Sequence, residues 1–178
     1  MIPMEAAPVK MLFLLFKLGR DRYVIDIARV LEILPLLDLK KVPRASPEVA
    51  GVFNYRGAPV PVIDVSAALL GTPARRILST RLVLVRQPDG KGWERPLGLI
   101  LEGATGTLRR DPSDFSDGGV TADGAPCLGP VAPDPQGLLQ WVEPDRLLSD
   151  AARAALFQRV RELSPDPESP GLSSDPSA

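Results

Sequence analysis

The stretch FNYRGAPVPVIDV runs from Phe53 to Val65 and carries two β-rich runs around a tight reversal. GVFNY (Gly51–Tyr55) leads in, PVPVIDV (Pro59–Val65) leads out, and Arg56-Gly57-Ala58 lies between them. Gly57 supplies the positive φ that a tight hairpin turn needs. Pro59 and Pro61 lack backbone donors, so the second strand is expected at an edge, or paired on one side only near its start. Arg56 is the only charge between Gly51 and Ile63. A hairpin tip cannot bury a guanidinium, so the ordinary reading is a solvated side chain. Held on a rigid turn, the same group suits the carboxylates or backbone carbonyls of another molecule.

Outward from this hairpin the chain reads as further short strands. MLFLLFKL (Met11–Leu18) is a strand, GRDR (Gly19–Arg22) a turn, and YVID (Tyr23–Asp26) the returning strand. The period then changes. Ile27, Val30, Leu31 and Leu34 fall at i, i+3, i+4 and i+7, which predicts a helix over 27–34, capped by Asp26 and stopped by Pro35. Ile33 falls outside that stripe, beside Glu32. LKKVP returns to extended chain, Ser46-Pro47 marks one short turn, and SAALLG (Ser66–Gly71) is a short helix ended by glycine, with Asp64 as a capping residue. A second β block follows: RLVLVR and RPLGLILEGA flank a loop holding Pro88, Asp89 and Gly90, and GTLRR extends the pairing. CLGPVA (Cys127–Ala132) and GLLQWV (Gly137–Val142) are two more strands, EPDRLLSD turns helical, and Ala151–Leu163 reads as a terminal amphipathic helix.

These readings divide the chain into a loose N-terminal arm (1–10), a β-rich domain (11–150), a C-terminal helix (151–163) and a tail (164–178). The tail is mostly prolines, serines and acids, with too little apolar surface to offset its ordering entropy, so disorder is expected there. Many short strands with closely spaced turn signals make the chain mainly β, a barrel or sandwich. The break at Gly71–Thr80 divides it into two small barrels rather than one large one.

Composition narrows the function classes. The chain has 178 residues, 44% of them apolar, enough for a core that buries roughly 70% of the unfolded surface. A net charge of −1 argues against a general nucleic-acid binder. MLFLLFKL is too short to span a bilayer, which takes about 20 apolar residues, and it lacks a basic leader and a cleavage site. The single cysteine, Cys127, makes no internal disulfide, which fits a reducing cytoplasm. There is no histidine, which removes histidine-assisted nucleophiles and most zinc sites.

No catalytic constellation emerges. Cys127 reads as a small buried apolar residue. DGGVTADG (Asp117–Gly124) fails the spacing of a calcium loop and lacks the closing glutamate. No phosphate-cradling glycine motif occurs, and Asp64 has no second carboxylate placed near it. Neither an enzyme nor a cofactor or metal site is expected.

The order FKLGRDRYVIDIARVLEIL, then VPRASPEVAGVFNYRGAPVPVIDV, then PLGLILEG resembles the CheW-like adaptor family of bacterial chemosensory systems, over about Met11 to Leu148. The G-V-x-N-x-R-G turn followed by P-V-I-D is its most specific part. The resemblance implies two intertwined five-stranded SH3-like β-barrel subdomains with short helices and a C-terminal helix. It also implies a non-catalytic scaffold in the cytoplasm, associated with membrane-bound receptor arrays and not itself inserted in the membrane. Such a scaffold couples the cytoplasmic tip of a methyl-accepting chemoreceptor to the regulatory domain of a CheA-type histidine kinase. Carried over by position, the receptor-binding residues would be Val30, Glu32 and Ile33 on the early helix, and Arg56 at the turn. The chain departs from the family at Tyr55, where leucine is usual, at Leu101-Glu102, and at Arg81-Leu82 and Thr107-Leu108, which make half of the groove more polar. Those departures leave room for a non-motility pathway, such as surface sensing or pilus control. A second reading within the same fold is a regulator that binds receptor without activating kinase.

Overall fold

In the computed structural model, residue 7 and residues 9–88, 94–118 and 124–163 are described. The arm expected over 1–10 lies largely outside them. So do the tail (164–178), most of the Pro88–Gly90 loop and the middle of the Asp117–Gly124 loop.

Among the described residues the alternating apolar runs of the sequence become nine strands: β1 (Met11–Leu18), β2 (Asp21–Asp26), β3 (Val30–Pro35), β4 (Val49–Tyr55), β5 (Ala58–Asp64), β6 (Arg81–Pro88), β7 (Glu94–Arg110), β8 (Leu128–Asp134) and β9 (Gly137–Val142). Helices α1 (Val65–Leu70) and α2 (Asp150–Glu162) complete the framework. The strands form two five-stranded groups that share β7. One group has the order β7-β1-β2-β9-β8 and is built from both ends of the domain. The other, β3-β6-β7-β5-β4, is built from its middle.

β7 serves both groups because it changes partner along its length. Its first part pairs with β6 and, through Gly98–Ile100, with β5; its last part pairs with β1. The register jumps between Leu15↔Gly106 and Lys17↔Glu102. Gly103 sits inside that jump at φ +62, a conformation glycine adopts without the Cβ penalty, so the strand can bend out of one sheet into the other.

The five-and-five division agrees with the paired barrels implied by the family resemblance, but the ladders do not close them. Each sheet is left open between its edge strands, β3 and β4 in one and β7 and β8 in the other. Among the described residues a single bridge stitches each gap: Lys40 to Val52, and Ser116 to Val131. As expected from its prolines, β5 pairs with β4 throughout and with β7 only from Val62 onward.

The helix expected over 27–34 is not formed. One 3-10 turn, Ile27–Arg29, is capped by Asp26, whose Oδ1 accepts from the Ala28 N–H at 2.9 Å; strand β3 begins at Val30. The four residues at helical spacing do not share a face. Ile27 and Val30 pack on one core cluster, Leu34 packs on another, and Leu31 is exposed. Glu32 to Pro35 also alternate half-buried and exposed, the period of a strand, and pairing with β6 satisfies the backbone that a short helix would leave open.

The core follows from this layout. The largest cluster draws on both sheets, from Leu14 and Phe16 of β1 to Val83 and Val85 of β6, and takes in Leu156 and Val160 of α2. A second, confined to the β1–β9 sheet, is aromatic: Phe13 lies 4.9 Å from Trp141, edge-on, and 5.4 Å from Phe115. A third, Val62, Leu82 and Ile100, belongs to the other sheet. Cys127 is buried in the main core, and desolvation pushes its thiol up to about 11. Asp64 caps α1, its Oδ1 accepting from the Ala67 N–H at 3.0 Å, and Gly71 ends that helix at φ +73.

Candidate functional site

β4 and β5 meet in a two-residue turn. Tyr55 pairs with Ala58, leaving Arg56 and Gly57 at the corner with φ values of 53° and 87°. Two successive positive φ values are the type I′ arrangement, whose twist matches that of the flanking strands. Gly57 takes its place freely; Arg56 does so as a non-glycine residue in a sparsely occupied region. Asn54 locks the corner, its Oδ1 accepting from the Gly57 N–H at 2.8 Å. The tip is therefore held in one shape, and the Arg56 side chain is 78% exposed.

Glu32 reaches this tip from β3. The Tyr55 hydroxyl donates to Glu32 Oε2 at 2.5 Å, and Arg56 Nη2 lies 3.7 Å from the same oxygen. The guanidinium also sits over the Tyr55 ring, 5.0 Å from its centroid. An ion pair this long and this exposed contributes between nothing and about 1 kcal/mol. Glu32 and Tyr55 thus orient Arg56 while most of its side chain stays in solvent.

The hydrogen bond to Glu32 holds the Tyr55 phenol above its ordinary pKa, because the carboxylate favours the protonated hydroxyl. Tyr23, the other tyrosine, is also raised, chiefly by burial. An ultraviolet titration of Glu32→Gln should therefore move one of the two phenols back down and leave the other in place. Any stability carried by the Tyr55 bond is present below about pH 10 and lost as the phenol ionises in the folded state. Two unmoved phenols would exclude the contact.

The four residues expected to form a site are not one patch on a helix face. Val30 pairs with Val85 and Glu32 with Leu84, with a bulge between them. Residues directly opposite share a face, so Val30 and Glu32 point to opposite sides of the sheet. Val30 is half-buried against the main core, whereas Ile33 is 40% exposed. Glu32 and Arg56 are brought together. Tyr55, which joins them, was visible in the sequence only as an aromatic at a position where the family shows leucine. Leu82 of the more polar half of the groove is fully buried.

A model of the CheW-like domain matches residues 12–152, from the second residue of β1 to the first turn of α2. The chain belongs to the CheW-like domain family. Among curated proteins, a chemotaxis protein CheW of Treponema pallidum is 35% identical over 63 residues, 35% of this chain and 37% of that protein. The CheW of Helicobacter pylori is 32% identical over 103 residues, 58% of this chain and 59% of its own length. These matches thus span between about a third and three fifths of those CheW proteins. The crystal structure of the scaffolding protein CheW from Thermoanaerobacter tengcongensis superposes with a TM-score of 0.70 at 19% identity, covering 84% of this chain and 94% of that one. That likeness supports the paired-sheet CheW fold. Among the described residues no helix is long and apolar enough to cross a membrane.

Proposed function

We propose that the chain is a non-catalytic adaptor that couples a methyl-accepting chemoreceptor to a CheA-type histidine kinase. The family match over residues 12–152 carries this reading. In it, residues 11–150 form the adaptor domain, with α2 packed on it, and the protein works in the cytoplasm beneath membrane-bound receptor arrays. The receptor's helical tip meets Arg56, which Glu32 and Tyr55 orient, and the exposed Ile33, while Val30, on the other side of the sheet from Glu32, packs on the core. What supports this is the geometry of the corner: a cation fixed at positive φ, braced by a tyrosine ring and left mostly in solvent. A mostly exposed arginine fork on a pre-organised turn recognises carboxylates and carbonyls at a reduced ordering cost.

Arg56→Glu tests the receptor contact. The side chain is exposed and its ion pair is worth at most about 1 kcal/mol, so melting should stay within about 4 °C of the parent, and Gly57 still closes the turn. Binding to a receptor cytoplasmic hairpin fragment should weaken at least tenfold, because the fork is lost and a like charge is set against Glu32. Unchanged binding would remove Arg56 from the interface. Kinase activity in a reconstituted receptor–kinase mixture separates an adaptor from a regulator that binds receptor alone: an adaptor raises it. The polar replacements at Arg81 and Thr107 favour a receptor other than one tuned for swimming, and hence a non-motility output.

A further inference from the structure

At the β4–β5 corner one carboxylate oxygen, Glu32 Oε2, faces two donors. The Tyr55 hydroxyl reaches it at 2.5 Å, a full hydrogen bond, while Arg56 Nη2 stands off at 3.7 Å, beyond hydrogen-bond range. Opposite charges favour the other order. A guanidinium and a carboxylate close to about 2.8 Å, often through two parallel bonds. Something at this corner keeps the acid and the cation apart.

The placement of Tyr55 accounts for it. Tyr55 is the last residue of β4 and pairs with Ala58, so the ladder fixes its backbone. Its ring lies 6.2 Å from that of Phe53, which packs on the third core cluster. Glu32 is held in β3 by its pairing with Leu84. The phenol therefore arrives at the carboxylate from a fixed direction. Arg56, set in the turn at φ 53°, carries its guanidinium over the same ring, 5.0 Å from the centroid. Attraction to an aromatic face steadies a cation through the π cloud and uses none of its N–H donors. One side chain thus occupies the acid with its hydroxyl and supports the cation with its ring.

We propose that Tyr55 is the positioning residue that sets the selectivity of this corner for an acidic partner. By keeping Glu32 on its own hydroxyl, it leaves Arg56 a solvated cation rather than half of a closed ion pair. A closed pair carries no net charge and has its donor fork already filled. The group selected is a carboxylate on the partner's surface. That the partner is a receptor tip rests on the adaptor reading; the hold on the two side chains does not. Leucine at position 55, usual in the family, can neither donate to Glu32 nor support a cation.

Tyr55→Phe isolates the hydroxyl, because the ring remains. Released from the phenol, Glu32 should move about 1 Å onto Arg56. The arginine reagent phenylglyoxal reads this without any partner, since a carboxylate closed on the guanidinium shields it. Followed by mass spectrometry on the peptide containing Arg56, modification of Tyr55→Phe should run about three to five times slower than in the parent, the range set by an exposed ion pair. Adding Glu32→Gln to Tyr55→Phe should restore the parent's rate, because no acid is left to close on Arg56. Binding of the receptor hairpin fragment to Tyr55→Phe should weaken by a similar factor and depend less on salt. Unchanged Arg56 reactivity in Tyr55→Phe overturns the proposal. So does a slowed rate that Glu32→Gln fails to reverse, which would mark Tyr55 as a packing residue only, or a hairpin fragment that binds Tyr55→Phe as it binds the parent. A parent chain that binds no hairpin fragment strikes the adaptor reading instead, while the expected reactivity pattern would still support the hold of Tyr55 on Glu32 and Arg56.

Discussion

Phe13→Ala should be the most damaging single truncation, lowering stability by about 4 kcal/mol. Phe13 is fully buried, and its ring contacts Phe115 and the edge of Trp141. Alanine would remove the ring from the centre of the aromatic cluster and leave a hole walled by stiff strands β1, β2 and β9, which cannot collapse to fill it. Urea unfolding followed by tryptophan fluorescence is the natural measurement. With a slope of about 2 kcal/mol per molar for a domain of this size, the midpoint should fall by roughly 2 M. A loss below about 1 kcal/mol would mean that this sheet does not enclose the cluster.

Gly51→Ala is the second large effect, and its cause is different. At Gly51 the backbone takes φ +153, and a Cβ there would lie 2.7 Å from the Lys40 carbonyl oxygen and 2.8 Å from the Leu39 Cβ. The obstructing oxygen cannot move aside cheaply, because it accepts from the Val52 N–H at 2.8 Å while Val52 in turn accepts from the Lys40 N–H at 2.9 Å. That exchange is the bridge that draws the middle sheet together. Alanine at 51 must break it or strain it, at a cost of about 3 kcal/mol and a drop in melting temperature of roughly 10 °C. Gly57→Ala is the control. Its Cβ would meet nothing within 4 Å, so only the positive φ opposes it, costing about 1 kcal/mol. If the two variants melt together, steric approach to Lys40 is not what position 51 requires.

Much of this architecture was legible in the chain. The Arg56-Gly57 corner, the one-sided pairing of a strand that opens with Pro59 and Pro61, the Asp64 cap and the Gly71 stop all follow from what single residues allow the backbone to do. The helix over 27–34 was misread for an equally local reason. Five large apolar residues among eight satisfy a 3.6-residue period and a two-residue period at once, and the choice between them was made by β6, some fifty residues downstream. The same distance effect hid the site's bracing. Glu32 and Tyr55 are 23 residues apart, and nothing near either announces the other. Glu102 likewise read as a departure from a family pattern, whereas it accepts from Arg75 in the loop before β6.

β7 carries one further consequence. Seventeen residues of a single strand belong to both sheets, so neither half owns a complete set of hydrogen-bonded neighbours without it. Peeling either edge of the molecule loosens a spar on which the other half also hangs. Amide exchange in the two halves should accordingly slow and quicken together under mild denaturant, as one cooperative unit. A chain cut at the α1–β6 junction should not yield two independently folding pieces. In mechanical terms the protein has no hinge between its halves, and a force applied at one end is handed across the middle as through a solid bracket.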